Sequence, residues 1–374
     1  MSAAPAFAQD STAPESPAPV PEVEESDVAV LPEAGPHWML SYSGFANPAR
    51  LIDGDTGEIK GSLHLAPMSN IAVAPDKSRF YVAETIWSKG NRGTRQDMIT
   101  VYDAKTLTID YEIPLPGRLL VGDRVHDLDV SSDGRYAYVY DMAPASSVIA
   151  VDLQKRKVLP AVEIPGCALT LASGTDKVLS LCGDGSLAAV TLTKGKGTVE
   201  QTDPVFSADE DPVYDNSVFD TKSGKGFLLS YSGLVYEVTV GDKIDVAAPW
   251  SLQEGAHMEK ATTKPLVVNW LPGGQQPIAY NATTGRLYVL MHMGEFWTYK
   301  EPGEELWEVD AQTHKVLRRA KLETPIRSVA VSQDAEPVLF LNEAQGGVEV
   351  WDVATLSQKH TLEIESPGEL VGMP

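Results

Sequence analysis

Catalytic signatures are what this chain lacks. Its 374 residues contain no G-x-S-x-G elbow, no phosphate-binding loop and no dinucleotide fingerprint, which removes the common nucleophile, nucleotide and redox-cofactor folds from consideration. The seven histidines, His37, His64, His126, His257, His292, His314 and His360, are scattered. None forms an H-x-H or H-E-x-x-H spacing that would bring several imidazoles to one metal ion. Two cysteines in the whole chain cannot build a dense disulfide framework. No apolar run is long enough to span a bilayer. Basic residues are also short, with 30 Lys and Arg against 52 Asp and Glu and a net charge of −22. Like charges repel, so neither nucleic acid nor an anionic membrane is an expected partner. A protonated amine would be drawn to such a surface.

What is present is a repeat. One series of strands reads IAVAPDKSRFYVA from Ile71, LDVSSDGRYAYVY from Leu128, LTLASGTDKVLSL from Leu169, SVFDTKSGKGFLLS from Ser217, IAYNATTGRLYVL from Ile278 and VAVSQDAEPVLFL from Val329. A companion series follows each, as in ITVYDAKTLT from Ile99 and VEVWDVATLS from Val348, and the segment from His37 to Glu58 supplies a seventh copy. Apolar and polar residues alternate and β-branched residues dominate, the pattern of half-buried antiparallel strands joined by tight turns. Seven copies over residues 36–374 give roughly 48 residues each, the length of a four-stranded propeller blade. The expected fold is therefore all-β, a seven-bladed propeller of four-stranded antiparallel blades. Its first copy lacks an inner strand, which Glu369 to Pro374 would supply, so that the N- and C-terminal strands pair and close the ring.

Asp103, Asp152, Asp310 and Asp352 recur in register. One Asp per copy after a strand is turn chemistry, the side chain capping local backbone N–H groups, rather than a catalytic set.

The first 35 residues differ in kind. Up to Glu33 they hold seven acids, no Lys or Arg, and repeated Pro and Ala, a composition that cannot bury enough apolar surface to offset its ordering entropy. Residues 9–35 are expected to form a flexible arm, either solvated or wrapped on a partner subunit. Ala6-Phe7-Ala8 has the small-x-small pattern of a secretory cleavage site, making residues 1–8 a truncated signal-peptide remnant and the mature protein periplasmic. Cys167 and Cys182 lie on neighbouring strands of one copy. In an exported protein an even count favours a disulfide between them; in the cytosol they would be two reduced, buried thiols.

Four segments interrupt the repeat. They are Ile86 to Asp103 with Arg92-Gly93-Thr94-Arg95-Gln96-Asp97, Tyr140 to Leu153 with Ala143-Pro144-Ala145-Ser146-Ser147, Gly166 to Val190 with Cys182-Gly183-Asp184-Gly185-Ser186-Leu187, and Pro249 to Asp310 with Trp270-Leu271-Pro272-Gly273-Gly274. In this order the chain resembles the large (heavy) subunit of the quinoprotein amine dehydrogenases, the methylamine and aromatic amine dehydrogenases, from about residue 36 onward. The Ala143-Pro144-Ala145 run, the Ala-Pro-Trp-Ser-Leu segment ending at Leu252 and the Cys-Gly-Asp-Gly run look nearer to the aromatic amine branch.

The resemblance implies a periplasmic heterotetramer of two large and two small subunits. Its cofactor, tryptophan tryptophylquinone, is made in the small subunit, so none is bound by this chain and no catalytic residue is expected in it. The implied reaction is oxidative deamination of a primary amine to an aldehyde, with electrons leaving to a blue-copper protein or a cytochrome c. This chain would scaffold the small subunit and line the substrate channel. Trp87, Arg92, Arg95, Asp97, Trp270, Gly273 and Gly274 are the candidate small-subunit interface, and the remaining tryptophans are expected in the core or at an interface. In the family a Phe before the second blade gates the channel; here that place falls near Pro67 or Met68, with His64 and Asn70 beside it, so either Met68 is an adaptable apolar replacement or the loop is shaped differently. The alternatives are a non-catalytic periplasmic propeller without a quinone partner and, less favoured, a propeller hydrolase or lactonase, which would need metal ligands converging on the central channel.

Overall fold

Alternating sequences of this kind form thirty strands and one short α-helix in the computed structural model, which describes residues 30–45, 48–120 and 124–374. The expected signal remnant, residues 1–8, and most of the arm lie outside the described residues. The arm's last residues run beside the second group of strands: the Leu31 N–H donates to the Lys105 carbonyl at 2.7 Å and Lys105 pairs with Glu33 at 3.2 Å.

The strands surround a central axis in antiparallel sheets, and the four-stranded unit is clearest at Asn70–Val73, Arg79–Trp87, Arg95–Asp103 and Ile109–Leu115. The expected count of seven blades is corrected by the sheet topology. There are five discrete blades, three of four strands and two of five, and one eight-stranded sheet. In the five-stranded blades the outer strand is split in two, Lys157–Val158 and Val162–Glu163 in one and Ile244–Val246 and Trp250–Ser251 in the other. Pro160 and Pro249 sit in the breaks, where a residue without an N–H cannot continue a ladder. The eight-stranded sheet arises because Lys315–Val331 is one continuous strand of 17 residues. It pairs with Gly303–Asp310 on one side and Val338–Glu343 on the other, so the sequence copies starting at Ile278 and Val329 share a sheet.

Closure by the two ends is as expected. Trp38–Tyr42 pairs antiparallel with Glu369–Gly372, Leu40 opposite Val371, and the Tyr42 hydroxyl donates to Glu369 at 2.7 Å. The core lies between neighbouring groups of strands: Leu128, Val130 and Val139 pack on Ala83, Ile99 and Val101, and Met39 and Ile52 on Phe340 and Val350 across the closure. Side chains this fully buried each contribute roughly 1.5–3 kcal/mol.

The in-register aspartates are turn caps. Asp103 Oδ1 accepts from the Lys105 and Thr106 N–H groups at 2.9 Å, Asp310 Oδ1 from Gln312 and Thr313 at 3.0 and 2.8 Å, and Asp352 Oδ1 from Thr355 at 2.8 Å. The fifth residue of these turns, Leu107, His314 and Leu356, takes a left-handed conformation with φ between 51° and 60°, which the cap stabilises against its steric cost. These backbone N–H bonds, from Thr313 first, hold the Asp310 carboxyl down at about 2. Cys167 and Cys182 face each other directly across one ladder and are disulfide-bonded, a closure worth about 3 kcal/mol in the chain-entropy account.

His37 clasps the seam. Its Nδ1 lies 2.8 Å from Asp55 and its Nε2 3.1 Å from Asp334 of the neighbouring strand group, so both ring nitrogens can donate only if the ring is protonated. Burial alone would lower its pKa, but the two carboxylates outweigh it and raise it above 6.5. A raised pKa means stability fully present below the unfolded value and lost as pH rises through the folded one. His37→Ala is expected to cost about 1 kcal/mol at pH 5.5, discounted for the exposure of Asp55, and the cost to shrink towards pH 9. Urea unfolding of both proteins at the two pH values tests this; a difference that does not change with pH would show that the imidazolium does not hold the seam.

Candidate functional site

The interruptions of the repeat meet at one end of the ring. In the blade from Asn70 to Leu115 the register sets Asn70 opposite Ala83, Thr85 opposite Asp97 and Asp97 opposite Leu115. The start of the inner strand, the turn from second to third strand and the end of the outer strand therefore share one end, here termed the upper end. His64, Pro67, Met68 and Asn70 lead into that inner strand, Trp87 to Asp97 form its upper hairpin, and Cys167 and Cys182 hold the same position in another blade.

The loop carrying Met68 is built on a buried arginine. Arg118, only 2 % exposed, donates to the Met68 carbonyl and to Asn70 Oδ1, both at 2.6 Å, and to the Thr85 hydroxyl at 3.1 Å. The Thr85 hydroxyl donates to Asp97 at 2.5 Å; Arg95 pairs with Asp97 at 2.9 Å and donates to the Arg118 carbonyl at 2.7 Å. Asn70 Nδ2 donates to the Arg124 carbonyl at 2.9 Å, and Arg124 pairs with Asp215 at 2.9 Å. Glu84 accepts from the Ala66 N–H at 3.0 Å and from the Thr100 hydroxyl. Met68 itself takes φ 60°, and its N–H donates to the Gly44 carbonyl at 2.6 Å. A non-glycine residue held left-handed persists only where its surroundings over-determine it, and here Arg118 and Gly44 hold both its carbonyl and its N–H.

Desolvation brings Arg118 down to about 10, against the pull of Asp127, Asp97 and other carboxylates. Asp127 is equally buried, has no hydrogen bond to either oxygen among the described residues, and desolvation raises it to about 6 against Arg124 and Arg118. Glu84 and Asp97 each accept from two groups of the frame, and Asp127 is buried beneath it. The network is a rigid frame that presents a half-exposed methionine side chain beside exposed Pro67 and His64.

The expected interface residues divide. Arg92 and Arg95 are exposed and Trp87 half-buried on the hairpin, whose tip turns through Gly93 at φ 98°. Trp270 packs instead against Trp307, with ring centroids 5.9 Å apart, under Arg319. Gly273 and Gly274 are buried; a Cβ on Gly273 would strike His292, and one on Gly274, at φ 114°, the Arg327 carbonyl. That turn is there for close backbone passage.

Sequence reasoning missed Arg118, a lone arginine in an irregular loop, and it underrated Trp297. Trp297 is 56 % exposed with φ 78°, braced by Phe296 and by Tyr231, which stacks on Tyr299 at 4.0 Å. With Phe45, Ile86, Met142, Leu266 and Met293 it gives the upper end a set of exposed apolar side chains, the kind of surface that marks an interaction site. Among the described residues no group of three or more His, Cys, Asp or Glu side chains converges as a metal site, and no helix is long and apolar enough to cross a membrane.

The profile described as "Methylamine dehydrogenase heavy chain (MADH)" matches residues 43–368. The chain belongs to this heavy chain family. Curated methylamine dehydrogenase heavy chains resemble it over most of their length: that of Methylophilus methylotrophus is 27 % identical over 323 residues, covering 85 % of this chain and 78 % of the relative. That of Methylobacillus flagellatus is 29 % identical over 298 residues, covering 79 % and 72 %, and that of Paracoccus versutus 29 % over 316, covering 84 % and 72 %. Among solved structures, the periplasmic gluconolactonase PpgL of Pseudomonas aeruginosa superposes with a TM-score of 0.59 at 16 % identity, covering 90 % of this chain and 99 % of that one. The β-propeller domain of Myceliophteria thermophila Cps50 (Swd1) does so at 0.58 and 8 %, covering 89 % and 100 %. At these identities the likeness concerns the fold alone. The motif-based resemblance to a large subunit of amine dehydrogenase thus holds.

In this heavy chain, Arg118→Met would keep the buried stem but leave the Met68 carbonyl and Asn70 Oδ1 without a donor. The expected loss is about 3 kcal/mol of stability, with amide exchange at Met68 and Asn70 at least tenfold faster while the Ile71–Val73 amides stay protected. Exchange at the loop equal to that of the unaltered chain would show that Arg118 does not hold it.

Proposed function

We propose that this chain is the large subunit of a periplasmic, tryptophan tryptophylquinone-dependent amine dehydrogenase, assembled as two large and two small subunits. The complex oxidatively deaminates a primary amine to an aldehyde and ammonia, and passes electrons to a blue-copper protein or a cytochrome c. The observation that carries this reading, beyond family membership, is the arginine-framed Met68 loop opening onto the end of the ring where the exposed apolar side chains gather. The disulfide agrees with an oxidising compartment.

Trp270 and Trp307, the tryptophan pair in ring contact, are committed to packing. Trp270 and Trp307 are clamped by Arg319, whose guanidinium lies 4.9 and 4.7 Å from their rings, and the Trp307 indole N–H is spent on Glu305 at 2.8 Å. The quinone, held by the small subunit, supplies the electrophilic carbonyl. This chain's residues do the rest of the channel's work: the Arg118 frame fixes the loop, Met68 gives an apolar wall, and the covered upper end keeps water out, so that the amine is held in one orientation. The acidic surface raises the local concentration of protonated amine. Met68 in place of a gating Phe fits a substrate larger than methylamine, in keeping with the aromatic amine branch to which Ala143-Pro144-Ala145 points, although the relatives above carry the methylamine name.

Purification of the native complex tests the assignment. A small chain should co-elute, with visible quinone absorption that a primary amine bleaches; a colourless chain without a partner would contradict it. Within the complex, Met68→Phe should raise KM for a phenylalkylamine about tenfold more than KM for methylamine, the scale at which pockets discriminate by size. An unchanged ratio would remove Met68 from the channel.

A further inference from the structure

The ring encloses an axial cavity of about 450 Å³ for which the proposed function has no use. Its upper mouth is bridged by the turn Val125–Asp127. The Val125 N–H donates to Asn216 Oδ1 at 3.1 Å, His126 Nε2 lies 2.8 Å from the Ser217 carbonyl, and the Thr170 hydroxyl donates to the His126 carbonyl at 3.0 Å. A ring nitrogen facing a carbonyl must carry the proton, so in the neutral ring Nδ1 is an acceptor.

Asp129 lines the cavity just below. Its two oxygens accept the Val130 and Ala172 N–H groups at 2.8 and 2.9 Å, which fixes the carboxylate and leaves further lone pairs on each oxygen. No Lys or Arg forms an ion pair with it among the described residues. Burial raises its pKa, opposed by His126 and the two backbone donors. The inner strands form the walls, with Phe219 and Tyr280 supplying aromatic surface and Asn216, Lys222, Gln276 and Gln333 polar surface. A hard metal ion would want six or more oxygen ligands, and no such group converges here. A carboxylate on a cavity that also carries Phe219 and Tyr280 instead suits a cation with its own apolar body, and the volume is that of a small-molecule site.

We propose that the axial cavity binds a small organic ammonium ion, its charged head on Asp129 beside His126 and its body against the inner strands. The site is independent of the small subunit and its quinone. Benzyltrimethylammonium is a suitable probe because it has no N–H with which to condense with a carbonyl, so a quinone site cannot take it covalently. Calorimetric titration of the purified complex, or of the full chain if it purifies alone, should give saturable binding with a millimolar or tighter Kd. Asp129→Asn should weaken it at least tenfold, and Glu200→Gln, exposed on the outer strand Lys196–Gln201, should not change it. In the unaltered protein labelled on histidine, the His126 ring signals should move with the same Kd while those of His314, stacked on Trp250 outside the cavity, stay in place; this readout stands even if Asp129→Asn fails to fold. Absence of binding, binding equal in Asp129→Asn, or saturation with stationary His126 signals would each overturn the proposal.

Discussion

The upper end of this molecule depends on closing a ring whose two meeting residues, Tyr42 and Glu369, are 327 positions apart in the chain. Until Trp38–Tyr42 finds Glu369–Gly372, the first and last groups of strands have open edges and the Met39, Ile52 and Phe340 faces have nothing to pack on. Loop closure over such a distance carries a large entropic cost before any contact offsets it. The seam is accordingly held in several ways at once: the ladder, the apolar cluster, the Tyr42–Glu369 hydrogen bond and the His37 clasp to Asp55 and Asp334. The Met68 N–H donates to the Gly44 carbonyl, just beyond this seam, so the geometry of the candidate channel follows from the closure.

A second constraint is electrostatic. The upper end buries a guanidinium, Arg118, in a protein with a large excess of carboxylates, and buried charges persist only when paired and hydrogen-bonded. Its donors are distributed over two elements, the Met68–Asn70 lead-in and the Thr85 strand, so one side chain fixes where the loop sits relative to the hairpin that carries Arg92 and Arg95. That makes the loop's position a property of the fold, independent of any ligand.

Local chemistry was legible in the sequence, and long-range packing was not. The aspartate turns could be read because each capping carboxylate lies within three residues of the N–H groups that donate to it. The strands could be read from alternation, and the cysteine pair from neighbouring strands. The sheet count could not: Pro325 is a signal to break a strand, yet Lys315–Val331 runs through it, and whether a ladder breaks between neighbouring groups depends on how they twist against each other. Arg118 was invisible because its partners lie 33, 48 and 50 residues away. Trp270 and Gly273–Gly274 looked like a surface motif because the motif is distinctive, yet their distinctiveness reflects close packing on Arg319, His292 and Arg327. Trp297 had no local cue, since its exposure is set by a left-handed turn braced by residues of another blade.

The central claim is that the end of the ring framed by Arg118 and bearing Met68 and Trp297 is the end that seats a quinone-bearing small subunit. The most direct measurement is an electron cryomicroscopy structure of the assembled complex at side-chain resolution. The account predicts the small subunit over the upper end, covering Trp297 and the Arg92–Arg95 hairpin with the quinone facing Met68. A small subunit seated on the opposite end, over the Asp103 and Asp310 turns, would contradict it.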